Sequence, residues 1–155
     1  MRTQNIKPIH IIVLDISAVK LLLPFHALTG SDTTSFLSGH SKKTALKVFF
    51  QNKELLAGLG KEPLTEDMIG NVEQFVCRIY NVPEVTTIDK ARVTLFKKVL
   101  HPELLLPARD ALTYHIKRAH LQTLVWLEAT QLKPSVPRAS TMGWELKDGQ
   151  MSTVL

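Results

Sequence analysis

A chain of 155 residues that is 45% hydrophobic and 21% charged can bury one core of its own and is too apolar to be disordered throughout. The formal charge of +5 and pI ≈ 9.4 favour a polyanionic partner, because clustered Lys and Arg release counterions from a phosphate backbone. Cys77 is the only cysteine, which excludes an intramolecular disulfide and a zinc site built on several thiolates, and fits a reducing compartment.

Residues 1–8 are polar and include Pro8; IHIIVLDI then reads as a short strand or a buried helical turn, so at most one short strand is expected, near 9–14. The apolar runs 9–14 and 19–25 are interrupted by Asp15, Lys20 and Pro24, too soon to cross a bilayer. No small-residue cleavage site follows the N-terminus, so the expected protein is intracellular, with the nucleus open to it and no membrane partner. From Ser17 the pattern is helical, and Pro24 predicts a kink or a new helix with Pro24 in its first turn. Thr29, Gly30, Ser31 and Asp32 read as a helix end and a turn.

Residues 43–50 and 53–59 are two short helical candidates, the second closed by Gly60 and Pro63. Thr65 is an N-cap for a helix over 66–80, with Glu66 and Asp67 at its positive end. Met68, Ile69, Val72, Phe75, Val76 and Ile79 repeat there at helical spacing, and Cys77 among them reads as an inert core thiol. Thr87 opens a helix over 88–100 that His101 and Pro102 end. The longest helix is expected over 109–132, with Leu112, Ile116, Ala119, Thr123 and Trp126 on one face. Beyond Lys133, two prolines and two glycines among polar residues predict a flexible tail over 133–155, with Trp144 free to dock.

The segment GSDTTSFLSGHSKKTAL carries the chemistry. Asp32 follows a small-residue turn; Gly39 can take positive φ, and the next helix begins near lysines. The free N–H groups of that helix end form a phosphate seat, to which Lys42, Lys43 and Lys47 add charge. A plain surface loop is the alternative reading of the same residues.

Gly30, Ser31 and Asp32, then six residues, then Gly39, His40, Ser41, Lys42, Lys43, Thr44 and Ala45 resemble the flap-endonuclease (PIN-like) nucleases. In that family a Gly-Ser-Asp signature precedes a Gly-x-Gly-x-Lys-x-Ala hairpin by the same offset; the match covers about residues 25–59. FHALTGSDTTS, GHSKKTA, HIKRAHLQTLVW and the pair Gly143, Trp144 resemble, over most of the chain, uncharacterised metazoan proteins of mobile-element character. These begin upstream of this Met1 and continue into a Cys-rich tail, so the chain is expected to be truncated at both ends. Ser41 stands at the place of the second hairpin glycine, and Ser31 at one the closer group more often fills with cysteine.

The resemblance implies a mainly α fold: the helical C-terminal portion, over 17–132, of an α/β PIN-like domain, with a helix-hairpin-helix-like segment and a remnant of the upstream part over 1–16. It implies that Asp32 is a catalytic ligand of Mg2+ in a complete parent protein, and that Ser38 to Thr44 hold a DNA backbone phosphate, beside which Lys47 adds its charge. Two-metal hydrolysis needs several converging carboxylates. Upstream of Asp32 only Asp15 is acidic, so no metal is expected in this chain alone and catalysis is expected to be lacking.

Glu66 and Asp67 are accounted for by helix capping, and Glu54, Glu62 and Glu73 by solvated faces. The six histidines show no ligand spacing, and His26 reads as a partly buried residue beside Phe25. Lys90, Arg92, Lys97, Lys98, Arg109, Lys117 and Arg118 are either solvated helix faces or a second strip of backbone contacts. The competing function is a noncatalytic interaction module, in which residues 104–106 and Trp126 dock the remainder of the parent protein or another chain; a nonfunctional fragment is the third reading.

Overall fold

The computed structural model describes residues 16–35, 37, 39–97 and 105–154. The strand expected near 9–14, Asp15, Ser38, Lys98, His101, Pro102 and Leu104 lie outside the described residues. What is described is mainly helical: α1 (Ile16–Leu28), α2 (Lys42–Asn52), α3 (Glu66–Ile79), α4 (Ile88–Phe96) and α5 (Arg109–Glu128), followed by a hairpin of β1 (Trp144–Lys147) and β2 (Gln150–Thr153).

Helix α1 is one element that runs through Pro24, not two helices divided by it. Its C-terminal carbonyls, which a helix cannot satisfy internally, are taken up by side chains from three places in the chain. Thr29 Oγ1 donates to Phe25 O at 2.7 Å, Thr34 Oγ1 to Ala27 O at 2.6 Å, and His115 Nε2 to Leu28 O at 2.7 Å. The α1 end is thus fixed from the turn and from α5 together.

Ser41 is the N-cap of α2, its hydroxyl accepting from the Thr44 N–H at 3.2 Å. The helix expected over 53–59 is instead a 3-10 turn, Lys53–Leu56, wound onto the end of α2, after which Gly60 turns the chain at φ 81°. Thr65 caps α3 as its sequence predicts, accepting from Met68 N at 3.3 Å. Thr87 precedes α4 without a side-chain cap, and α5 ends at Glu128, short of Leu132.

The core forms where the apolar stripes meet. Phe25, Leu28, Phe49, Leu56, Phe75, Val76, Ile88, Leu106, Leu112 and Ile116 are all buried in one cluster, each such side chain stabilising the fold by about 1.5–3 kcal/mol. Helix α1 lies along α5, while α3 packs against α2, the 3-10 turn, α4 and α5. Cys77 is fully buried in α3, and burial beside Glu73 pushes its thiol up to about 11.

The segment expected to be a flexible tail holds the hairpin. Asp148 (φ 50°) and Gly149 (φ 78°) form its two-residue turn, and Lys147 pairs with Gln150, Trp144 with Thr153. Positive φ at both turn residues matches the twist of an antiparallel pair, for which Asp-Gly is suited. Arg118 of α5 holds the open end: its Nη1 donates to Gly143 O at 3.1 Å and to Val154 O at 3.2 Å.

Candidate functional site

The end of α1 and the start of α2 border an open cleft. Its walls include Gly30, Ser31 and Asp32 on one side and His40, Ser41 and Lys42 on the other, with His26, Thr29 and Thr34 between. Two halves of the sequence signature therefore share one concavity. The turn itself is local: Ser31 N donates to Thr34 O at 3.0 Å and to Thr34 Oγ1 at 3.1 Å. Asp32 is exposed on that turn.

Gly39 takes φ 75°, and the chain enters α2 at an exposed corner. Ser41 is extended (φ −74°, ψ 152°), so the place expected to need a second glycine does not. The hydroxyl there occupies the Thr44 N–H, and Ser41 O takes Ala45 N at 3.1 Å. The N–H groups of Lys42 and Lys43, the first two of the helix, have no acceptor among the described residues.

The three lysines differ. Lys42 Nζ donates to Gly30 O at 2.6 Å and also meets His26 Nδ1. Desolvation in this position lowers the Lys42 pKa. Lys42 is thus a strut between α2 and the α1 turn. Lys43 and Lys47 are exposed one helical turn apart on α2, with no partner among the described residues. Thr44 Oγ1 and Ser41 Oγ lie 3.1 Å apart at the same end.

His40 packs edge-on against Tyr80, with ring centroids 4.2 Å apart, and burial lowers its pKa. It pins the corner to the end of α3. His26 is exposed rather than partly buried, and its ring stacks on Trp126 at 5.6 Å. Sequence reasoning missed its contact with Lys42, a pairing sixteen residues apart that no local motif encodes.

Several acidic and basic residues have other duties than those expected. Glu73 is 2% exposed, not on a solvated face, and accepts from Arg109 Nε at 3.1 Å. Glu62 Oε1 lies 2.6 Å from His120 Nε2. His120 is fully buried; its Nδ1 accepts the Gly60 N–H at 3.1 Å, so Nε2 carries the proton given to Glu62. Arg118 is buried, Arg92 donates to Leu106 O, and Lys117 lies over the Tyr114 ring. These three side chains are engaged within the fold, whereas Lys90 and Lys97 are exposed. Leu106 is in the core and Trp126 is half-buried against it, while Leu105 is half-buried.

For Mg2+ the donor set does not fit. Among the described residues Asp32 is the one carboxylate lining the cleft, and it shares it with the Lys42 ammonium, whereas Mg2+ needs several hard oxygens. Among the described residues no three of His, Cys, Asp and Glu converge, and no helix is long and apolar enough to cross a membrane. Comparison with protein-family models, with curated proteins and with solved structures finds no match to this chain.

Proposed function

We propose that the chain is a partial PIN-like, nuclease-related region of a mobile-element-derived protein that grips the DNA backbone and is not catalytic alone. The observation that supports this reading is the exposed α2 start. Among the described residues, the N–H groups of Lys42 and Lys43 and the ammoniums of Lys43 and Lys47 have no partner, and they share the helix start reached through the positive-φ corner at Gly39. Such an end takes a phosphate oxygen through amides and dipole together. Every contact in it is to backbone charge, so binding carries no base preference.

Fluorescence anisotropy on duplexes of unrelated sequence tests it. Affinity is expected to be the same for each and to fall steeply between about 50 and 200 mM salt. Binding that is salt-insensitive, or unchanged when Lys43 and Lys47 are both replaced by Ala, rejects the reading. Flap, hairpin and single-stranded substrates are expected to stay intact with Mg2+ or Mn2+; cleavage lost in Asp32→Asn would restore an enzymatic role.

A noncatalytic interaction module is the second reading, and one observation favours it. Ile16, Val19 and Leu23 are 78%, 50% and 37% exposed along one side of α1, a stripe of the kind that docks on another polypeptide. The occupant in this reading is the remainder of the parent protein. Concentration-dependent association in light scattering, abolished by Val19→Lys, would support it; a monomer at all concentrations would count against it.

A further inference from the structure

We propose that the pocket beside Arg118 binds a small carboxylate carried on an apolar body, independently of the α2 corner. The pocket holds ≈ 290 Å³ and is walled by Leu37, Leu105, Pro107 and Ala111, with Ser35, His115 and Arg118 as its polar lining. Its size is at the small end for ligand cavities, which are mostly apolar with few polar groups fixing orientation.

Arg118 is the unusual member. It is 8% exposed, and its Nη1 serves the Gly143 and Val154 carbonyls. Its Nε is buried without an acceptor, and neither Nε nor Nη2 has a hydrogen-bond partner among the described residues. No carboxylate pairs with it there. A cation withdrawn from water and left without a counter-ion is costly, and an anion entering beside it would relieve that cost. The Nη2–H groups left over are the donors open to a carboxylate, with the buried Nε–H beside them.

The surroundings choose among anions. One guanidinium offers a single charge, and His115 has its Nε2–H committed to Leu28 O, so a monoanion matches better than a phosphate dianion. The apolar walls require a hydrocarbon body. Helix α5 lines one wall with Ala111, His115 and Arg118, and Ala108 at the start of its first turn supplies no side-chain cap. Asp110, the acidic residue of that turn, borders a different hollow with Thr113, Tyr114 and Lys117.

A short-chain free acid and the C-terminus of a peptide ending in an apolar residue present the same chemistry, and hexanoate and N-acetyl-leucine stand for them. The full chain, labelled with 15N, reports through the Arg118 Nε–H resonance, assigned by its loss in Arg118→Lys. Saturable displacement of that resonance is expected with at least one of the two carboxylates, and tighter binding by one of them identifies the source. Hexanol and inorganic phosphate are expected to leave it in place. Ala111→Trp fills the pocket without touching the Gly143 and Val154 bonds and is expected to weaken binding at least about tenfold, with Ala111→Leu intermediate and the backbone spectrum preserved in both. No saturable shift with either carboxylate, an equal shift with hexanol, or unchanged binding in both Ala111 variants overturns the proposal.

Discussion

The Lys42 ammonium reaches the Gly30 carbonyl at 2.6 Å, so the first residue of α2 is tied to the turn that ends α1. Structure and phosphate contact therefore divide between neighbouring lysines. Lys42→Ala is expected to cost about 1 kcal/mol, a charge-assisted bond discounted for its exposure. Lys43→Ala is expected to stay within about 0.5 kcal/mol of the parent. Urea denaturation separates them, and equal stabilities would mean that the strut does not hold in solution.

Under the proposed DNA reading, Lys43→Ala and Lys47→Ala each remove one phosphate partner. Each is expected to reduce the slope of log affinity against log salt by about 0.9. Asp32→Asn removes a negative charge from the cleft that borders the α2 start and is expected to tighten binding. Anisotropy titrations at several salt concentrations measure all three, and a tighter complex for either lysine variant would contradict the assignment.

His115 makes folding stability depend on pH. Burial pushes its imidazole below the ordinary 6.5; the Leu28 carbonyl pulls it up, and Arg118 pushes it down again, leaving it lowered. The unfolded chain takes up the proton as pH falls through about 6.5, before the folded chain does, so the unfolded state binds more protons between the two values. The contribution is fully present above about 6.5 and is lost as pH falls towards the folded value. His115→Gln retains a donor for Leu28 without the titration. The loss of stability between about pH 7.5 and pH 5 is expected to be smaller in this variant; an equal loss would remove His115 as its source.

Three glycine-to-alanine changes are expected to differ in sign and size. At Gly60, φ 81° combines with a Cβ that would meet Thr123 Cγ2 at 2.6 Å, for a loss of about 2–4 kcal/mol. At Gly149 the φ of 78° is strained but nothing lies within 4 Å, for about 1 kcal/mol. At Gly70, inside α3 with open space around it, Ala is expected to stabilise by about 0.5–1 kcal/mol. Thermal unfolding of the three variants orders them, and a neutral Gly60→Ala would contradict the contact with α5.

Cys77, fully buried with its thiol raised to about 11, is expected to resist a thiol reagent in the native protein and to react fully in denaturant. Rapid labelling near neutral pH without unfolding would show that α3 opens locally.

The sequence makes α3 plain because all its signals are local: a threonine cap, two acids in the first turn and an apolar stripe of helical period. The Gly39 corner and the α2 start are legible for the same reason. The hairpin is not, although Asp148 and Gly149 carry its turn signal. Its strands are polar and half-exposed, so alternation is weak, and the side chain that anchors them sits 25 residues before Gly143. In the sequence Glu73 and Arg118 look like surface charges, because charge alone says little about burial; their partners lie far along the chain. Of the cleft, the lysines could be named in advance, but not that Lys42 would face inwards to His26 and Gly30.

The two histidines of α5, five positions apart, point about 140° from one another around the helix. One grips the last carbonyl of α1 and the other grips the Gly60 amide. Helix α5 thus behaves as an axle with a peg on either flank. The end of α1 and the turn at Gly60 therefore share one support.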